Sequence, residues 1–313
     1  MVILTGADVG VYVEEESSFG GSSVDDSNWE AISYSTRIGS LRAIQNKVQL
    51  YNLGKRSVEG IVDLQFEGEI ELSGLLSSKK VLYFIDNNPS VATDSPATGY
   101  QTTTFLASAG NCGSFGVLVN NYSGSGNYAL FKGYVVDEFS LACRVNEVPE
   151  FRVRGFYKNF ETGSASATTT EVTYSDMWTF TDIGITIGGD NVDVVSGFDL
   201  SLRLNREGIR KLGSRYIEGK VSKNIEVSFS MEIPAGGGGN YAFKKIETGW
   251  TGDIEVKIGD YTAGETQYIF KLLDAELRDV GESISATDII NERYSFIGKD
   301  LQIEFIEEKP EVM

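Results

Sequence analysis

Residues 53–72 read LGKRSVEGIVDLQFEGEIEL, and residues 212–231 read LGSRYIEGKVSKNIEVSFSM. At an offset of 159, seven of the twenty positions are identical: Leu, Gly, Arg, Glu, Gly, Val and Glu. The shared phrase is not low in complexity, so chance is a poor explanation and a duplicated unit is the leading one. Within the first stretch Leu64, Phe66, Ile70 and Leu72 share one face of an extended chain, and Asp63, Gln65, Glu67, Glu69 and Glu71 share the other. The second stretch keeps that phase. Ile225, Val227, Phe229, Met231 and Ile233 are apolar, whereas Ser222, Asn224, Glu226, Ser228, Ser230 and Glu232 face away. A slip of one residue would invert both faces, so the agreement in phase argues for structural duplication.

Thr36 to Ile44 and Ile61 to Leu72 form a strand pair around the mixed segment QNKVQLYNLGKRSVEG. Phe198, Leu200, Leu202 and Leu204 supply the corresponding partner strand in the second copy. SGLLSSKKVLYFIDN then offers helical spacing, and GGGGNYAFKKIETGW at 236–250 a short helix after a loop. Each half closes on a candidate hairpin: YVVDEFSLACRV with PEFRVRGFYK, and KLLDAELRDV with NERYSFIGK. Residues 1–35 read as an irregular arm or loop, and TGSASATTTE at 162–171 as a linker or exposed loop. The 313 residues suit two domains of about 150 residues each. We place the first at 1–162, with its N-terminal arm, and the second at 163–313.

The composition agrees with a folded, turn-rich β protein: 41% hydrophobic, 35 Gly against 5 Pro, and Thr, Val, Ile, Tyr and Phe in short runs. No basic segment leads into an apolar run, and no stretch approaches the roughly 18 apolar residues of a membrane span, so a soluble cytoplasmic product is expected. Cys112 and Cys143 are the only cysteines; two packed thiols are favoured over a single bridge. A net charge of −18 disfavours ordinary binding to a phosphate backbone.

The chain offers little that reads as chemistry. The absence of histidine removes Ser-His-Asp and Cys-His nucleophiles, His-ligated zinc and the usual general base. Carboxylates such as Asp25 with Asp26, or Glu14 to Glu16, read as a solvated face in a chain with 45 acidic residues. The Gly236 to Gly239 run lacks the Lys-Ser or Lys-Thr and the βαβ context of a phosphate loop. The acidic runs lack calcium-loop spacing and the cysteines lack a CxxC pattern. Aromatic residues such as Phe66, Phe139 and Phe229 fall on the apolar strand phase and read as core. No catalytic, cofactor-binding or metal-binding residue is expected.

The repeated phrase carries the strongest resemblance. A strand, a basic-tipped loop ending Leu-Gly-x-Arg-x-x-x-Gly, a long alternating strand and a short helix resemble the tail tube proteins of tailed phages and related archaeal viruses, specifically the subgroup whose tube fold is duplicated in one chain. The phrase TGADVGVYVEEESSFG at 5–20 is similar to the opening of such proteins. The resemblance implies a mainly β fold of two tandem β-sandwich or barrel domains, each with a short helix, contributing strands to a shared inner β-barrel. It implies a structural virion protein that is not an enzyme, needs no cofactor, is assembled in the host cytoplasm and resides in the virion tail. Three chains would form a ring with pseudo-sixfold symmetry, and stacked rings a hollow tube for DNA ejection. Four strands per half give about 24 per ring and a backbone diameter of roughly 48 Å, wide enough for duplex DNA once side chains are added.

On this reading the polar positions Asp63, Gln65, Glu67, Glu69, Glu71, Ser222, Asn224, Glu226, Ser228, Ser230 and Glu232 face the lumen, with Arg144, Arg152 and Arg154 as candidates to soften its field. Segments 45–60 and 204–218, carrying Lys47, Lys55, Arg56, Arg206, Arg210, Lys211 and Arg215, are expected as loops joining one ring to the next. Implied partners are further copies of the chain, a tape measure protein, tail terminator and baseplate proteins, a possible sheath, and double-stranded DNA passing without specific binding; no membrane is implied. Two other readings stay open, the inner tube of a contractile injection system and a tandem β-sandwich binding or surface-layer module.

Overall fold

In the computed structural model, the residues described are 10–25, 29–33, 35–51, 58–121, 126–164, 167–171, 178–212, 214–234, 249–263, 266–283 and 291–309. The first half and the connecting segment after it supply β1 (Val11–Glu15), β2 (Trp29–Ala31), β3 (Arg37–Tyr51), β4 (Val58–Leu75), β5 (Ser90–Thr93), β6 (Tyr100–Leu106), β7 (Phe115–Asn120), β8 (Tyr128–Arg144), β9 (Glu150–Tyr157), β10 (Asn159–Gly163) and β11 (Thr169–Thr170). The second supplies β12 (Ile183–Ile187), β13 (Asp190–Asn191), β14 (Gly197–Arg203), β15 (Glu207–Arg210), β16 (Ile217–Val221), β17 (Glu226–Pro234), β18 (Thr251–Ile258), β19 (Gln267–Ser283), β20 (Asn291–Gly298) and β21 (Asp300–Glu308).

The two expected hairpins at the ends of the halves are β8–β9 and β19–β20. They belong to one antiparallel run of neighbours, β3-β4-β9-β8-β14-β17-β20-β19, to which each half contributes four strands. We call it the inner sheet; it is open at both ends. Outer sheets complete two sandwiches. In the first half β2, β1, β7, the start of β8 and β10 are neighbours; in the second β13, β12, β18, the start of β19 and β21 are.

Long strands cross from outer to inner sheet in both halves, and each turns the corner with a left-handed residue: Gly133 (φ 68°) in β8 and Asp274 (φ 48°) in β19. The alternating pattern explains the core. Ile70, Leu72, Phe151, Val153, Phe139, Leu141, Phe198, Leu200, Val227, Phe229 and Met231 are buried on one face of the inner sheet, against Val117, Val119, Val256 and Phe270 of the outer sheets.

The pairing registers of the halves correspond. Leu41 lies opposite Ile70 and Leu200 opposite Phe229, so the first strand pair recurs at the offset of the repeated phrase. Lys132 lies opposite Asn159 and Leu273 opposite Asp300, which sets a second, slightly shorter offset for the later strands. The register irregularity at Val136/Glu138 recurs at Leu277/Asp279 with that same second offset. Residues at corresponding register positions differ in size. Gly155 is so tight that a Cβ would lie 2.0 Å from the Val135 carbonyl oxygen, and nearby Tyr134 is fully buried. Their equivalents in the second half are Phe296 and the small Ala275, both buried.

Several expectations need correction. Residues 1–35 are not all arm: Val11, Tyr12 and Val13 are consecutive buried residues because β1 is covered on both faces, Tyr12 packing with Trp29, Leu118 and Leu130 in a satellite core. Covering both faces erases the alternation that marks a half-buried strand. The mixed segment after Ile44 is strand to Tyr51, continuing the pairing of Lys47 with Asp63 and Val48 with Val62, so β3 and β4 form one long hairpin. Its counterpart in the second half is broken. At the offset of the repeated phrase, β3 maps onto β14 and β15, and β4 onto β16 and β17, so the segment 204–218 contains a small separate hairpin, β15–β16, rather than a plain loop.

The first helical expectation is met by a 3-10 helix at Lys79–Phe84, capped by Ser78 and burying Val81, Leu82 and Phe84. Most of the second, 236–250, lies outside the described residues. The segment 162–171 ends by pairing Thr169 and Thr170 in parallel with β2. Cys112 and Cys143 are both free thiols.

Candidate assembly surface: the polar face, the hinge and the open edges

The face of the inner sheet opposite the core carries the expected polar residues. Glu67, Glu226 and Ser228 are exposed, and Glu69, Glu71, Ser230 and Glu232 are half-exposed. Asp63 and Gln65 continue β4 by position; their side chains lie outside the described residues. Ser222 and Asn224 fall in the break before β17, not on the strand, and line a cleft of about 340 Å³ with Ala107, Ser108, Leu204 and Arg206.

The surface is not simply acidic. Arg154 meets Glu69 at 3.1 Å, Arg42 meets Glu69 at 3.9 Å and Arg152 meets Glu71 at 3.6 Å. Across the junction of the halves Arg144 reaches Asp199 at 2.7 Å and Arg203 reaches Glu138 at 3.3 Å, while Arg293 approaches Asp199 at 3.8 Å and donates to Ser230 Oγ at 3.1 Å. The hydrogen bond from Arg154 to Glu69 raises the guanidinium above its ordinary value. Each exposed pair contributes on the order of 0–1 kcal/mol, so the lattice sets the field more than the stability. Sequence reasoning marks Arg144, Arg152 and Arg154 as neutralising groups and misses Arg42, Arg203 and Arg293. The Arg-Val-Arg alternation at 152–154 is the only local signal, because each partner is distant in sequence.

The basic segment of the second half has a role inside the chain. Arg206, expected at an exposed loop, is 4% exposed. It donates from Nη1 to the carbonyls of Phe84 at 2.6 Å and Val136 at 3.2 Å, and from Nη2 to that of Ile85 at 2.6 Å. Its backbone N–H donates to Asp137 Oδ1 at 2.6 Å. Burial pushes the guanidinium below its ordinary value, and the same desolvation raises Asp137. Beyond this hinge, whose Asn205 has φ 45°, the hairpin folds over the first half. Arg210 donates to the Phe66 carbonyl at 3.1 Å and approaches Glu67 at 3.5 Å, the Phe66 N–H donates to the Arg215 carbonyl at 2.9 Å, and the Phe66 and Tyr216 rings lie 5.9 Å apart. Lys211 accepts a backbone hydrogen bond from Ser214 in the hairpin turn. In the first half Lys47 sits on β3 opposite Asp63, and Lys55 and Arg56 lie outside the described residues.

Among the described residues the inner sheet has two open edges. β3 pairs with β4 alone, and the second half of β19, from Asp279, pairs with β20 alone. Among the described residues no cluster of His, Cys, Asp or Glu could hold a metal, and no helix is long and apolar enough to cross a membrane.

A double sandwich around a charge-interleaved sheet with two open edges defines a β-rich protein. The phage tail tube protein model matches residues 6–298, and the chain belongs to that family. The family is one of structural tail proteins, which makes the chain a component of the virion tail. Among solved structures, the sheath/tube terminator of an extracellular contractile injection system, PVC, in the extended state is similar at 13% identity, covering 40% of this chain and 94% of that chain with a TM-score of 0.33. No curated protein matches.

Proposed function

We propose that the chain is the ring-forming subunit of a tail tube: three copies close a ring of pseudo-sixfold symmetry, and rings stack into the conduit for viral DNA. The observation that carries this is the inner sheet, to which two halves with corresponding registers give four strands each and which ends in two open edges. Such a sheet has unpaired N–H and C=O groups at each end, and closing it on further copies removes both edges. Three chains bring about 24 strands and a backbone diameter of roughly 48 Å.

The register correspondence supports duplication of one tube fold, with domains 1–162 and 163–313. The domains also exchange elements, since β6 of the first adds to β21 of the second. The polar face would line the bore. Its arginines each meet a carboxylate, leaving no contiguous basic strip on which phosphates could displace counterions, so DNA would pass without being held. Assembly in the host cytoplasm with a tape measure protein, terminator and baseplate proteins, and a sheath where the tail is contractile, belongs to the same reading, as does an inter-ring role for the first-half hairpin. Symmetry analysis of the assembled protein by electron microscopy tests it. Threefold rings with a central bore are expected, and six full-length chains per ring, or no rings at all, would refute it.

A further inference from the structure

We infer that the open edge of β3 and the open second half of β19 are the two sides of one joint between copies of the chain, and that its register is a copy of the intrachain joint between β8 and β14. The inference rests on the ring reading above and adds to it the identity of the paired residues and the relative strength of the joint.

Inside the chain Ser140 lies opposite Ser201, Phe139 opposite Leu202 and Glu138 opposite Arg203. The register correspondence carries β14 back onto β3 at the offset of the repeated phrase, and β8 forward onto β19 at the second, shorter offset. Transposed, Arg42 stands opposite Gly281 of a second copy, Ala43 opposite its Val280, and Ile44 opposite its Asp279. The exposure of these edges fits a missing strand on each side. Leu41 is 38% exposed whereas its equivalent Leu200 is 2% exposed. Ala43 is exposed and Val280 half-buried, while their equivalents Leu202 and Phe139 are buried. A Cβ at Gly281 would meet nothing within 4 Å, so the space beside it is free to receive a neighbour.

The two joints differ in strength. The intrachain joint sets Leu202 against Phe139 and adds the Arg203–Glu138 pair at 3.3 Å. The transposed joint sets Ala43 against Val280, a much smaller apolar contact, and Ile44 against Asp279, which cannot form an ion pair. Folding of the two halves into one unit is thereby favoured over premature closure of rings, and the joint between chains is the one left for assembly conditions to make.

Cysteine cross-linking of the full chain, with Cys112→Ser and Cys143→Ala as background, tests the register. Oxidation of assembled Arg42→Cys/Gly281→Cys protein is expected to give covalent dimers and trimers, severalfold more than the slipped pair Arg42→Cys/Asp279→Cys. Ser140→Cys/Ser201→Cys should cross-link within one chain and serves as the geometric standard. If a double variant does not fold, mixing chains that each carry one cysteine reports the same contact. A dominant slipped product, or no interchain product from rings visible by microscopy, would overturn the register while leaving the ring reading intact. Absence of rings from the folded, unmodified chain would overturn that reading itself.

Discussion

Arg206 of the second half donates its guanidinium to the main-chain carbonyl of Phe84 in the first half at 2.6 Å, across 122 residues of sequence. It is the buried fastening of the second-half hinge, and it donates to the carbonyls of Val136 and Ile85 as well. Replacing it with Met should therefore cost about 2–4 kcal/mol, the scale of leaving buried polar groups unpaired. Urea unfolding followed by tryptophan fluorescence measures this. A loss below about 0.5 kcal/mol, the usual surface value, would mean that the residue is not fastened as described.

Converting Glu69 and Glu71 to Gln removes the partners of Arg154, Arg152 and Arg42. Because those pairs are exposed, stability should change by no more than about 1 kcal/mol. Arg42, Arg152 and Arg154 are nevertheless left on the first-half part of the face without these carboxylate partners. Fluorescence anisotropy with duplex DNA should show salt-sensitive binding by the assembled variant and none by the assembled parent protein at physiological ionic strength. Equal binding by both would dissociate the charge lattice from the proposed passage of DNA.

Gly155→Ala should be strongly destabilising, by about 3 kcal/mol or more, since the added Cβ would lie 2.0 Å from a main-chain oxygen that cannot rotate away. Gly281→Ala, with open space around its Cβ, should be near neutral in the unassembled chain. The pair of urea midpoints checks whether steric position, rather than loss of glycine as such, decides the outcome.

Cys143 is buried, and desolvation followed by the charge of Glu147 pushes its thiol up to about 11. The reactive thiolate is thus disfavoured throughout the range between pH 7 and 9 and becomes populated only as the pH approaches that raised value. A thiol reagent at pH 8 should label one cysteine, the half-exposed Cys112, in the native protein and both in urea. Rapid native labelling of Cys143 would contradict its place in the core.

Whatever has a local period was readable from the residues alone. The alternation at Ile70–Leu72 and Val227–Ile233, the phase shared by the two copies, and the closing hairpins all follow from side chains pointing to opposite faces of a strand. The absence of histidine by itself narrows the chemistry. Tertiary structure decided the rest. β1 was hidden because burial on both faces removes its period. The hinge at Asn205 and Arg206 depends on carbonyls at least 70 residues away in sequence, and the pairing of Glu69 with Arg154 spans 85. Which carboxylate is neutralised, which of two similar hairpins bends, and which edge stays open depend on contacts between strands remote in sequence, and no local pattern of residues encodes those distances.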